Sequence, residues 1–168
     1  RRAPAMMEQP YRRFWFATMA CDGGYQLMIL AQGWLIFELT GSALQLGILG
    51  AAIALPNILM TLIGGVIADR FGKKRILMVT SLISGLLLLL LTGLDQSGHI
   101  AVWHVLTITA LISLVTGLNW PAQVSILPEL VPRESMINAV ALTTVIWQGM
   151  RMLMPVAGGL LLVWTDTS

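Results

Sequence analysis

The sequence predicts an all-α membrane protein with five transmembrane helices. Hydrophobic residues make up 57% of its 168 positions and charged residues only 11%, whereas a water-soluble domain carries about 25% charged residues. Five long apolar stretches alternate with short polar segments, and the basic residues fall in every second polar segment. These observations exclude an ordinary soluble domain. The stretches are also too long for the strands of a membrane β-barrel, which need about 10 residues each.

Each apolar stretch is long enough to cross a bilayer as a helix. A hydrocarbon core of about 30 Å requires roughly 20 residues at a rise of about 1.5 Å per residue. The first stretch is too long for the core of a signal peptide, and no small-residue cleavage site follows it, so we interpret it as a retained span. The predicted spans are residues 14–39, 44–68, 76–94, 100–127 and 136–164.

The distribution of basic residues predicts the orientation of the chain. Nine of the 10 Lys and Arg residues lie before the first span, between the second and third, or between the fourth and fifth. The connections 40–43 and 95–99 contain none. Because loops rich in Lys and Arg stay on the cytoplasmic side, we expect residues 1–13 to form a cytoplasmic N-terminal segment and residues 165–168 an external tail.

The loop between the second and third spans, GGVIADRFGKKR at 64–75, combines small, acidic and basic residues. Gly64 and Gly65 remove side-chain bulk and let a second helix approach closely. Asp69 follows at the cytoplasmic edge of the span, and Gly72 permits a tight reversal before the basic run. These features are those of a candidate gate. The alternative for the basic run alone is a connecting turn that only obeys the topology rule.

The order of residues in this loop resembles a known family signature. Major facilitator transporters carry Gly-x-x-x-Asp-Arg-x-Gly-Arg/Lys-Arg/Lys between their second and third helices, on the cytoplasmic side. The resemblance implies that the aspartate and the first glycine contact a helix of the other half of the transporter and stabilise one state of the alternating-access cycle. The matching positions here are Gly65, Asp69, Arg70, Gly72, Lys73 and Lys74.

Further stretches resemble the drug and siderophore exporter branch of this superfamily, which includes macrolide-efflux and enterobactin-exporter-like proteins. They are FELTGSALQLGILGAAIALP at 37–56 and PAQVSILPELVPRE at 121–134, together with the glycine-rich fifth span. The resemblance covers residues 12–164. It implies five helices of the N-terminal six-helix bundle and a C-terminal transmembrane half as partner. The chain opens with Arg rather than Met, and we expect it to be part of a larger protein.

The fifth span contains GMRMLMPVAGG at 149–159, which resembles the antiporter signature on the fifth helix of the family. Met154 stands where that signature has glycine before its proline. Pro155 frees a helix carbonyl and bends the helix, while Gly158 and Gly159 offer a flat face to a neighbour. We predict a helix-five hinge at these three residues. A purely structural kink is the alternative.

Polar residues inside the spans form the predicted coupling or substrate site. Asp22 lies roughly 12 Å along the first span at the helical rise per residue, and Arg151 is deep in the fifth. Charged side chains in hydrocarbon cost about 2.5–3.5 kcal/mol on the insertion scale, so both should face protein or a water-filled cavity. Gln26 shares a helical face with Asp22, and Asn119 can line a polar path. The nearly equal alternative is an Asp22–Arg151 pair that only holds two helices together.

The sequence contains no nucleotide-binding loop, no nucleophile with its base and no zinc-binding helix, so we expect no enzyme activity, no metal and no cofactor. Its basic residues form no helical face, which excludes nucleic acid as a partner. The expected function is proton-coupled efflux of a small amphipathic molecule across a bacterial inner membrane. A proton-coupled nutrient importer of the same fold and a five-helix membrane assembly protein without transport activity remain alternatives.

Overall fold

The computed structural model describes residues 8–166 and, within them, all side chains except those of residues 68, 69 and 161–166. Helices account for nearly all of this part of the chain, and it contains no strand. A short 3-10 helix, Arg133–Ser135, precedes the last α-helix. The α-helices are α1 (Gln9–Thr40), α2 (Ala43–Phe71), α3 (Lys73–Gln96), α4 (Val102–Thr116), α5 (Asn119–Leu130) and α6 (Met136–Asp166). The predicted all-α fold is confirmed.

Four helical stretches are long and apolar enough to cross a membrane: Ala43–Ile67, Lys73–Gln96, Val102–Leu130 and Arg133–Leu160. They correspond to the second to fifth predicted spans. The first predicted span, residues 14–39, forms most of the 32-residue helix α1 but is not among the four. Its segment DGGYQ at 22–26 places polar and small residues in the middle of the helix. The membrane crossing of α1 therefore stays a prediction.

The fourth predicted span, residues 100–127, does not form one continuous helix. Its helix is interrupted at Gly117 and Leu118, so that α4 and α5 follow each other as two pieces. Pro121 explains the interruption, because proline lacks the N–H that would bond to the carbonyl four residues earlier. That carbonyl belongs to Gly117. The helix break thus lies one turn before the proline.

The surfaces of the helices expose large apolar side chains. Leu62 and Val66 on α2 are 76% and 75% exposed, and Leu89 on α3 and Val145 on α6 are 70% and 66% exposed. In water, so much exposed hydrocarbon would drive association. In a bilayer these side chains face lipid tails, where burying apolar surface against another helix has no hydrophobic driving force.

The described helices fall into two compact units. The first contains the chain up to Gln32 together with the chain from Leu127 onward, and the second contains Gly33–Ile126. In the first unit, a core cluster of Tyr11, Leu127, Val131 and Ala139 joins the start of α1 to the end of α5 and the start of α6.

The second unit consists of the end of α1, helices α2, α3 and α4, and most of α5. Its cytoplasmic half, in the predicted orientation, is built around Ala122 and Ile76, which pack together with Ile67, Leu77 and Leu118. Helix α5 therefore lies against both α2 and α3. This packing determines the surroundings of the loop between α2 and α3.

Candidate functional site

The first unit places Asp22 and Arg151 within electrostatic reach of each other, a pairing that the sequence analysis left open as an alternative. Asp22 is half-buried on α1, and the guanidinium of Arg151 on α6 attracts its carboxylate. Trp147 lies one turn before Arg151 and forms a side-chain hydrogen bond with Asp22. The Oδ2 atom of Asp22 is buried without a hydrogen-bond partner among the described residues. A carboxylate with a free oxygen can accept a proton or a donor from a substrate.

Trp147 is a site residue that the sequence analysis missed. A tryptophan in an apolar helix is normally interpreted as a lipid-facing or core side chain, because the hydrophobic pattern does not show whether its N–H group has a polar partner. Its spacing of four residues from Arg151 was the available signal, because residues four apart share one face of a helix.

Small residues keep α1 and α6 close together around this site. A Cβ atom on Gly23 would lie 3.4 Å from the Met150 sulfur and 3.5 Å from the terminal methyl group of Met154. At Gly158, a Cβ would overlap the side chain of Leu30. Gly158 thus has the packing role predicted for it, whereas a Cβ on Gly159 would meet no described atom within 4 Å.

The remaining polar residues of this unit have different surroundings. Gln26 is half-buried one turn beyond Asp22, and Pro155 is half-buried within α6. Gln32, which the sequence analysis did not single out, is 2% exposed, and both polar atoms of its amide lack a described partner. At the start of α1, the Tyr11 hydroxyl donates to the Ala139 carbonyl at 2.9 Å. That bond ties α1 to α6 about three turns before Asp22.

In the second unit, the stretch 64–75 begins with two glycines that have different neighbours. A Cβ on Gly64 would lie 2.9 Å from Cγ of Pro121 and 3.3 Å from Cδ2 of Leu118, so this glycine allows α5 to approach α2. A Cβ on Gly65 would meet no described atom within 4 Å. The backbone of Asp69 belongs to the last turn of α2, and its side chain lies outside the described residues.

The turn itself depends on Gly72, which has φ +84° and ψ 120°. Helix α3 begins at the next residue. Positive φ strains any residue with a Cβ, which explains glycine at this position. Nζ of Lys73 donates to the carbonyl of Ser125 at 2.9 Å and so connects the turn to α5. Arg70 and Lys74 are exposed.

Asn119 is connected to α3, because its Oδ1 accepts a short hydrogen bond from the Thr80 hydroxyl. It belongs to the second unit, whereas Asp22, Gln26 and Arg151 belong to the first. Among the described residues, no group of three His, Cys, Asp or Glu side chains is placed to hold a metal ion.

Apolar helices of membrane length, a glycine-acid-basic turn between two of them and a carboxylate attracted by a guanidinium on another helix are features of a secondary transporter bundle. A family model described as "Transmembrane secretion effector", a branch of the major facilitator superfamily, matches residues 3–167. The chain therefore belongs to this family of membrane transporters, and it is an integral membrane protein.

Relatives with names support the same family. The chain is 39% identical to the "Multidrug efflux pump Tap" of Mycobacterium tuberculosis over 70 residues, which are 42% of the chain. The Tap protein of Mycolicibacterium fortuitum is 37% identical over 71 residues. The "Uncharacterized MFS-type transporter YfiS" of Bacillus subtilis is 26% identical over 126 residues, 75% of the chain. All three names are those of transporters, not of enzymes.

The chain matches only part of the length of these relatives. The aligned segments cover 17% of the Tap proteins and 29% of the Bacillus subtilis protein. No solved structure matches the chain.

Proposed function

We propose that the chain forms the N-terminal part of a bacterial exporter that moves a small amphipathic molecule outward by alternating access, driven by proton entry. Membership of a secretion effector family and the names of the Tap relatives support outward transport. The N-terminus lies in the cytoplasm, and a C-terminal transmembrane half completes the transporter.

The carboxylate of Asp22 is the observation on which this proposal depends. It lies in a helix within reach of one cation and one indole N–H, and one of its oxygens has no partner. A group that served only to pair two helices would be expected to use both oxygens, because an unpaired buried polar atom costs about 1–3 kcal/mol. We assign proton coupling or substrate contact to Asp22, with Gln26 and Arg151 beside it. Asn119 contributes a further polar contact.

The loop between α2 and α3 is the second part of the proposal. Gly65 has open space around it on a helix whose neighbouring glycine is closely packed. That open surface suits a partner helix from the C-terminal half, and Asp69 lies one turn further toward the cytoplasm. Contact of the two halves at this surface would close the cytoplasmic side, while the hinge at Pro155, Gly158 and Gly159 allows α6 to bend.

The test is a transport assay on the complete protein that contains this chain. Cells loaded with the fluorescent amphipathic cation ethidium are followed with and without a protonophore. We expect outward flux that stops when the proton gradient collapses, and Asp22→Asn should abolish it. Asp95→Asn is the matched control, because it makes the same chemical change at an exposed position, at the end of α3 opposite the turn at Gly72.

Three outcomes separate this proposal from its rivals. Uptake instead of efflux would favour the importer. Restoration of proton-driven efflux in the exchanged variant Asp22→Arg with Arg151→Asp would show a structural ion pair and no coupling role for Asp22. A purified chain that forms a stable homo-oligomer and whose parent moves no solute would favour the assembly protein.

A further inference from the structure

The break in the fourth span leaves one backbone carbonyl without its helical partner. Pro121 has no N–H for the carbonyl of Gly117. The hydrogen bonds on either side of the break are long: Leu118 N lies 3.3 Å from the Val115 carbonyl, and Ala122 N lies 3.4 Å from that of Leu118. Within a bilayer, hydroxyl side chains of Ser and Thr are among the groups that bond to such a freed carbonyl.

Thr61 of α2 is the side chain in position to do this. Its hydroxyl lies 2.8 Å from the carbonyl of Asn57 on its own helix and 3.4 Å from the carbonyl of Gly117. The Oδ1 atom of Asn57 lies at 3.5 Å. A hydroxyl carries one hydrogen and can donate to only one of these three acceptors at full strength. At these distances the strongest bond is to the Asn57 carbonyl, and the Gly117 carbonyl is the acceptor within reach on another helix.

We propose that Thr61 is a positioning residue for a hinge at Gly117 and Leu118, and that its hydroxyl exchanges between the carbonyls of Asn57 and Gly117 as the fourth span changes its bend. When α4 tilts toward α2, the bond to Gly117 shortens and satisfies the freed carbonyl. When α4 tilts away, the hydroxyl stays with Asn57. Both positions of the hinge therefore keep the hydrogen of Thr61 bonded, which lowers the cost of moving between them.

The packing around the break restricts the motion to this point. Helix α5 is attached to α3 at its first residue, through the bond between Thr80 and Asn119, and at its middle, through the bond from Lys73 to the Ser125 carbonyl. The hinge itself lies against α2 so closely that a Cβ on Gly117 would be 2.9 Å from the Asn57 oxygen. A change of bend thus moves α4 while α5 remains with the loop signature.

The test measures the bend directly and does not depend on transport. Spin labels are attached to Leu111→Cys and Val124→Cys, both at exposed positions, in a Cys21→Ser background of the full 168-residue chain in lipid nanodiscs. In a straight helix, the two backbone positions would be about 20 Å apart. The variants are Thr61→Val, which keeps the shape and removes the hydroxyl, and Thr61→Ser, which keeps the hydroxyl.

We expect Thr61→Val to change the distribution of label distances and Thr61→Ser to preserve it. Hydrogen–deuterium exchange across residues 112–122 should become about two- to fivefold faster in Thr61→Val, the factor for a net bond of about 0.5–1 kcal/mol. Pro121→Ala restores the missing N–H, so Thr61→Val should have no effect in that background. This dependence on Pro121 separates a role in the hinge from simple packing.

The proposal is wrong if Thr61→Val leaves both measurements unchanged, if Thr61→Ser behaves like Thr61→Val, or if the effect of Thr61→Val is the same with Ala at position 121. Thr61→Ala serves as a second variant without the hydroxyl should Thr61→Val fail to fold, and it is judged by the same three criteria.

Discussion

Replacing Gly117 by alanine should separate α2 from α4 and destabilise the second unit. The new Cβ would lie 2.8 Å from Cβ of Met60, 2.9 Å from the carbonyl oxygen of Asn57 and 3.3 Å from its Cα. Carbon atoms in favourable contact are about 3.5–4.0 Å apart, so the Cβ pair is too close by roughly 0.7–1.2 Å. None of these atoms can rotate away, because two belong to the backbone and the third is fixed to it.

The magnitude follows from two opposing contributions. Overpacking a rigid contact costs about 1–3 kcal/mol, and the upper end applies because the clash can be relieved only by moving a helix. Alanine gains up to about 1 kcal/mol over glycine in a helix, but Gly117 lies at a break, where little of this gain is realised. We therefore expect Gly117→Ala to lose about 2–3 kcal/mol.

Gly65→Ala is the matched control for this prediction. It makes the same chemical change on α2 with no described atom within 4 Å of the new methyl group, so the purified chain should be unchanged or gain up to about 1 kcal/mol. The assay is reversible unfolding in mixed micelles with increasing SDS, followed by far-UV circular dichroism. Equal stability of Gly117→Ala and Gly65→Ala would refute the close approach of α2 and α4.

Three further predictions concern the ends of the helices. Tyr11→Phe should cost about 1–2 kcal/mol in the same unfolding assay, because the fully buried hydroxyl donates to a carbonyl of α6 and its loss leaves that carbonyl with one donor fewer; an unchanged midpoint would contradict this. Lys73→Met should lose about 1 kcal/mol with its bond to α5, whereas the exposed Lys74→Met should be neutral, and equal effects would exclude the specific bond. The topology is tested with a membrane-impermeant maleimide in a Cys21→Ser background. Lys74→Cys should react only from the cytoplasm, and Ser97→Cys should react only from outside. Labelling of both variants from the same side would overturn the proposed topology.

The existence and type of the helices could be predicted because the bilayer requires long apolar segments, and these are visible in composition alone. The prediction of α2 as residues 44–68 falls just short of its observed length, Ala43–Phe71. A pairing of Asp22 with Arg151 was one of the alternatives that the sequence left open, because charged side chains inside a membrane tend to pair with one another. Both the apolar segments and the charged residues within them are informative, because a polar backbone group or a charge without a partner in hydrocarbon costs several kcal/mol.

The different roles of Gly64 and Gly65 could not be predicted, because α2 is apolar on all sides. An amphipathic helix shows in its sequence which face packs against protein, whereas a helix surrounded by lipid and by other apolar helices carries no such pattern. Neighbouring glycines differ by about 100° around the helix axis, so one contacts Pro121 and the other faces open space. Only the packing of α5 against α2 distinguishes them.

The same loss of pattern explains why the polar contacts between helices were harder to predict than the helices. Thr61 and Thr80 both bond to carbonyls of their own helices, as isolated hydroxyls in membrane helices do, so the sequence gives no reason to look further. Each also reaches a second helix at the point where regular backbone bonding fails or a polar side chain enters the bundle: Thr61 at the carbonyl freed by Pro121, and Thr80 at Asn119. At these two positions, a helix break and a partly buried amide mark the points where a hydroxyl connects two helices.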